Sequence, residues 1–147
     1  MFDDSAEFAL VIKLGSIAHP PGTPAYIALG MLWEKITAVM GVPTITSLTL
    51  FSSLCISAAS LLLFFSFRKI VSETFSQVQN KFQTGFIAFI VSAGFATGAT
   101  SWSWANTVEV YAFQVLAMAI AFFGLTQYHF NKSKSALIIA AIGLSMG

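Results

Sequence analysis

Charge is what this sequence has least of. Only 9% of its 147 residues are Asp, Glu, Lys or Arg, where a soluble domain carries about a quarter. Cysteine is nearly absent too. The single Cys55 sits inside an apolar run, which excludes a disulfide framework or a thiolate metal site and leaves a small hydrophobe. A net charge of +1 offers nothing to a nucleic acid backbone. No P-loop, Rossmann glycine pattern, HExxH or GxSxG elbow occurs, so a nucleotide-bound donor has no support here. What the chain does have is apolar surface: 56% hydrophobic and 14% aromatic residues, with a mean hydropathy of +0.81. A small soluble fold buries only about two-thirds of its area and could not hide this much. The bilayer is therefore the solvent.

The polar exceptions are concentrated at the start. Ser5 to Leu14 predicts a short helix capped by Asp4 or Ser5, with Phe8, Leu10, Val11, Ile12 and Leu14 as apolar positions and Gly15 as its stop. It is too short for the roughly 30 Å hydrocarbon layer and reads as an interfacial helix. His19 and Thr23 each precede a proline, which favours extended geometry and makes His19 to Pro24 a rigid bend. Ala25 to Met40 predicts a helix on or dipping into the membrane surface, with Trp33 as anchor and Glu34-Lys35 unsuited to a bilayer centre. An uncharged run from Val42 to Phe67 predicts the first complete span, closed by Arg68-Lys69. Further spans are expected over 84–100, whose Gly, Ala and Ser favour close packing, and over 110–128. Residues 135–147 begin another that is too short to cross. The fold class expected is all-α: a polytopic transmembrane bundle preceded by an exterior loop of short helices, with units 1–41 and 42–147.

Charge placement orients the bundle. Arg68, Lys69, Lys81, Lys132 and Lys134, five of the seven basic residues, fall in the loops expected on one side. Asp3, Asp4, Glu7, Glu34 and Glu109, five of the six acids, fall on the other. The positive-inside rule makes the basic loops cytoplasmic. An exterior acidic segment must be translocated, yet no apolar run precedes it, so a preceding membrane helix and a longer parent protein are expected.

Three clusters could carry chemistry. Asp3, Asp4 and Glu7 share a helical face. Crowded carboxylates raise a pKa, which suits a general base, or ligate a hard divalent cation. Their bland reading is acids at a helix start, favoured by the dipole. His19, beside Pro20, Pro21 and Gly22, has a fixed imidazole direction, useful toward a phosphate or carboxylate, or else is a connector facing headgroups. Glu109, followed by Tyr111, opens a membrane helix and should face a polar cavity or a partner, or serve the helix dipole. Trp33, Trp102, Trp104 and Tyr111 read as interfacial belt residues. A transporter or flippase subunit, relaying protons or binding substrate through Glu109 and His19, and a non-catalytic assembly module fit the same residues.

The order Asp4-Ser5-Ala6-Glu7, then His19-Pro20-Pro21-Gly22-Thr23-Pro24, then Glu109-Val110-Tyr111-Ala112 resembles the protein O-mannosyltransferase-like family of multi-pass membrane proteins, whose bacterial members form a family of unknown function. The resemblance spans nearly the whole chain and makes it an N-terminal piece. It implies a GT-C glycosyltransferase fold in a bacterial inner membrane, the acidic loop on the periplasmic side. It also implies a polyprenyl-phosphate sugar donor and a protein or glycan acceptor. Carried over, Asp4 and Glu7 are the catalytic acids, and His19, Pro21, Gly22, Glu109 and Tyr111 contact substrate. No cofactor is implied beyond a possible divalent cation at Asp3, Asp4 and Glu7. Two positions depart from the pattern: Ala6 stands where glycine is expected, and Thr49 where asparagine is common.

Overall fold

The computed structural model describes residues 3–16, 23–75 and 80–146, the side chains of Asp3 and Asp4 excepted. The described residues form seven α-helices and no strand. They are α1 (Asp3–Leu14), α2 (Pro24–Ala38), α3 (Thr44–Thr74), α4 (Lys81–Thr97), α5 (Ala99–Ala105), α6 (Val110–Asn131) and α7 (Lys134–Met146). Two of them, α3 and α6, are long and apolar enough to cross a membrane. The α4–α5 pair supplies a third crossing if it acts as one span bent by 61°. The protein is an integral multi-pass membrane protein.

The chain's route follows from its side-chain contacts. Phe51 meets Phe113, Phe67 meets Phe122, and the Lys69 ammonium lies 6.0 Å from the Phe130 ring centroid, so α3 and α6 run parallel. The α4–α5 pair returns along α3. At its far end the Ser53 hydroxyl donates to the Ala105 carbonyl at 2.6 Å. The basic residues at the end of α3 and those after α6 therefore share one end of the bundle, opposite α1 and α2. With 31 residues, α3 is about 46 Å long at 1.5 Å per residue. It continues past Arg68-Lys69, where a loop is expected from sequence, because the Lys69–Glu73 pair at 2.8 Å supports another helical turn beyond the hydrocarbon. Hydroxyls inside the spans bond their own helix: Ser60 to Ile56, Ser66 to Leu62, Ser92 to Ala88 and Thr97 to Ala93. That satisfaction lets Ser and Thr sit in a medium without water.

Close packing is concentrated between α6 and α7. Ala117, Ala121 and Gly124 of α6 and Ala136, Ala140 and Gly143 of α7 are all buried. A Cβ on Gly124 would lie 2.8 Å from the Ala136 carbonyl oxygen, and one on Gly143 2.7 Å from that of Ala117. Small residues here let two backbones touch, which in lipid replaces the hydrophobic driving force. The glycines of α4 do not play this part. Gly85 and Gly94 face open space, and α4 instead buries Thr84, Ala88 and Ser92, one helical turn apart.

The N-terminal helices are seated by one aromatic cluster. Spacing in α1 puts Phe8, Val11 and Ile12 on the buried face, while Leu10 and Leu14 face outward. Helix α1 begins at Asp3, so Asp4 and Ser5 lie inside its first turn rather than capping it. Its stop is as the sequence implies: Gly15 takes φ +67°, and the Ser16 N–H donates to the Val11 carbonyl at 3.1 Å. Ile12 then presses on Gly30 of α2, where a Cβ would lie 2.7 Å from it. Beside this crossing stands Tyr26, 1% exposed. Its ring centroid lies 5.4 Å from Phe8, 6.1 Å from Phe51 and 6.0 Å from Phe113. One phenol thus touches α1, α3 and α6. The α2–α3 turn is tied by polar contacts: Trp33 Nε1 donates to the Ser47 carbonyl at 2.8 Å, the Thr37 and Ser47 hydroxyls are hydrogen-bonded to each other, and Thr44 Oγ1 donates to Glu34 Oε1 at 3.1 Å. Glu34 is so provided with a partner at the membrane edge.

Two outcomes are expected in thermal unfolding of the detergent-solubilised protein. Gly143→Ala, forced against the α6 backbone, loses about 1–3 kcal/mol, whereas Gly94→Ala, in open space, gains roughly 0.5–1 kcal/mol from helix propensity; equal effects would contradict the packing. Burial raises the Tyr26 phenol above its ordinary value, with Cys55 and Glu109 adding to the rise, and its oxygen has no hydrogen-bond partner among the described residues. The folded phenol keeps its proton where the unfolded one loses it, so stability falls as pH rises past about 10. Tyr26→Phe should remove that alkaline loss and be neutral to about 1 kcal/mol stabilising at pH 7; a large destabilisation would show that the hydroxyl has a partner.

Candidate functional site

The sequence-derived site residues divide between described and undescribed parts. Asp3 and Asp4 belong to the first turn of α1, but their side chains, and all of His19, Pro20, Pro21 and Gly22, lie outside the described residues. Glu7 is half-buried on α1 and engaged with a neighbour. Glu109 occupies the N-cap position of α6 with extended backbone (φ −143°, ψ 157°), and its side chain makes no capping bond. A partly buried carboxylate not spent on its own helix is available to something else, which weakens the helix-dipole reading. Tyr111 is 47% exposed and stacks on Trp104 at 5.7 Å, 28° from parallel. Trp102, 66% exposed, stands on the same short helix as Trp104.

These separate pieces meet through Tyr26. Phe8, next to Glu7, packs edge-on against one side of its ring, and Phe113, one turn beyond Glu109, packs against another. Glu109 is near enough to raise the phenol's pKa. Helix α1 and the start of α6, almost a hundred residues apart in sequence, are therefore neighbours at one end of the bundle. Sequence reasoning missed Tyr26. Its only local signal is a lone phenol in the apolar start of α2.

Thr23, the first described residue after that stretch, departs from expectation. Thr23 is not extended but has φ 25° and ψ 63°. Its carbonyl accepts the first bond of α2, from Ile27 N–H at 3.2 Å, and that turn overrides the preference imposed by Pro24. A non-glycine residue in the left-handed region is strained, and the Thr23 hydroxyl is buried without a hydrogen-bond partner among the described residues. The Tyr26 and Ser52 hydroxyls share that state. Three unpaired buried hydroxyls close to this end of the bundle are unusual, since such groups are nearly always satisfied.

A groove of about 730 Å³ opens between α1, α2 and the start of α3. Ala6, Leu10, Lys13, Glu34 and Thr44 are among its walls. The volume suits a sugar-sized or larger ligand, and Lys13 and Glu34 give it one charge of each sign. Ala6 sits there in regular helix without positive φ, so its backbone does not require the glycine expected at that position. Thr49, the other departure, donates its hydroxyl to Ile45 O at 3.0 Å and so serves its own helix. Among the described residues no three His, Cys, Asp or Glu gather as metal ligands; two of the three carboxylates in question, Asp3 and Asp4, lie outside that description.

No curated protein and no solved structure matches the chain. A family model does, over residues 4–147: the protein O-mannosyl-transferase TMEM260 N-terminal domain. The matched region takes in the acidic helix, the bend and the Glu109 turn in their order. The chain belongs to this family of O-mannosyl-transferase N-terminal domains with membrane helices.

Proposed function

We propose that the chain is the part of a membrane glycosyltransferase that transfers a hexose, mannose by family, from a polyprenyl-phosphate donor to a hydroxyl acceptor on the non-cytoplasmic face. The family match over residues 4–147 carries this reading. Asp4 is the base, with Glu7 one turn along the same face as its neighbour or substitute. The carboxylate takes the acceptor's O–H proton as that oxygen attacks the anomeric carbon; the bond from that carbon to the phosphate oxygen breaks, and the lipid phosphate leaves with the electron pair. Configuration at the sugar inverts. Charge develops on the departing phosphate, and His19, with Pro21 and Gly22 beside it in sequence, is the residue assigned to stabilise it. Glu109 and Tyr111 form the polar floor against which the sugar is oriented. A divalent cation bound by Asp3, Asp4 and Glu7 would be the other use of the same carboxylates.

Supporting observations are the seating of α1 beside the Glu109 turn through Tyr26 and the adjoining groove. Bacterial inner-membrane placement belongs to the same proposal by the family resemblance, and the outward acidic end rests on the distribution of lysine and arginine.

The test uses full-length protein in membranes with labelled polyprenyl-phosphate mannose. Asp4→Asn should lower transfer by about 100-fold or more, the scale of a lost general base, without change in thermal stability. Glu109→Gln should raise KM more than it lowers kcat. Full transfer by Asp4→Asn with loss in Glu7→Gln would move the base to Glu7; full transfer by both would remove the acidic helix from the chemistry.

A further inference from the structure

The opposite end of the bundle holds a second concave site, remote from the acidic helix. A pocket of about 420 Å³ lies between the ends of α3 and α6, lined by Phe65, Arg68, Lys69, Ser72, Phe123 and Gln127. Its walls are graded along the membrane normal. Phe65 and Phe123 stand one turn inward of Arg68 and Gln127 on their helices, so the hydrocarbon side of the pocket is aromatic and the headgroup side is polar. Phe65 is 42% exposed on the outer surface of the bundle, which leaves the pocket continuous with lipid.

Its charges are arranged rather than merely present. Lys69 is pinned by Glu73 Oε1 at 2.8 Å and by the Phe130 ring. That ion pair uses up the only acid nearby on α3, and Arg68 is left without an ion pair or hydrogen bond among the described residues. Gln127 Oε1 accepts from Asn131 Nδ2 at 2.8 Å, so its amide N–H groups remain as donors. Ser72 Oγ donates to the Lys69 carbonyl and keeps its lone pairs. The pocket therefore offers a guanidinium fork, an ammonium and an amide donor above two aromatic rings.

We propose that this pocket binds the phosphate headgroup of an anionic membrane lipid from the leaflet at the basic end, with the acyl chain running down past Phe65 and Phe123. Arg68 takes the phosphate oxygens in the two-pronged geometry that a guanidinium favours, and Lys69 and Gln127 complete the shell. Free phosphate shares the headgroup chemistry, but the aromatic inner wall opening on hydrocarbon matches an amphiphile. A bound lipid here would brace α3 against α6 where neither helix end is covered by α1 or α2.

The full chain, purified in detergent, is incubated with phosphatidylglycerol or phosphatidylcholine, and retained lipid is read by native mass spectrometry. Phosphatidylglycerol should be retained over phosphatidylcholine. Arg68→Gln should lower its retention about fivefold, the effect of one basic residue at an anionic headgroup, and Gln127→Leu should lower it without changing charge. The double variant Lys132→Gln, Lys134→Gln, on the same end but outside the pocket, should change it less than about twofold. Equal loss in that control would assign binding to diffuse surface charge and overturn the site. Equal retention of both lipids, or displacement by millimolar inorganic phosphate, would overturn the lipid assignment.

Discussion

The arrangement of this protein depends on one buried ring. Tyr26 is in contact with Phe8, Phe51 and Phe113, and through them three helices from distant parts of the chain are fixed to one another. Edge-on and tilted ring pairs of this kind add about 0.5–1.5 kcal/mol each beyond area burial. They matter more here than in a soluble core, because apolar area gains nothing from moving out of lipid. What holds α1 down is contact geometry, the rings and the crossing of Ile12 over Gly30, on an α2 that is itself clasped to the start of α3 by Trp33, Thr37 and Glu34.

The same physics explains the division of labour along the bundle. Deep in the spans, packing is left to alanine and glycine between α6 and α7, and hydroxyls close on their own helices. Unpaired hydroxyls occur toward the acidic end, at Thr23, Tyr26 and Ser52. At the basic end an ion pair holds Lys69 in place, and Arg68 beside it is left open among the described residues. Polar groups left free to bind a ligand lie toward the two ends because the hydrocarbon between them permits no unsatisfied polar group without cost.

Much of the fold was legible in the residues, and for physical reasons. Uncharged runs longer than the hydrocarbon layer announce α3 and α6, and the unequal placement of lysine and acid tells which loops lie together. Gly15 announced the end of α1. The limits were equally physical. Arg68-Lys69 looked like a helix end, but the Lys69–Glu73 pair carries α3 on to Thr74. The glycines of α4 suggested tight packing, yet which face a glycine occupies depends on neighbours that no local window contains. Thr23 was expected to be extended, and the first hydrogen bond of α2 overruled its proline. As for the candidate site, Glu109 could be singled out because a carboxylate at a membrane helix entrance is costly. Tyr26 could not, because its importance lies in three rings separated by more than a hundred residues of sequence.

The central claim is that α1 and the start of α6 are held at one end of the bundle through Tyr26, opposite the end that carries Arg68, Lys69 and Lys132. Spin labels on cysteines at Leu10 and Tyr111, both exposed, with buried Cys55 replaced by alanine, test it directly in the full-length protein. The account requires a short, narrow distance distribution for that pair, and a clearly longer one for Leu10 and Lys132, since Lys132 lies about 30 Å from Tyr111 along α6 at 1.5 Å per residue. A broad distribution for the first pair, or a shorter distance for the second, would contradict it.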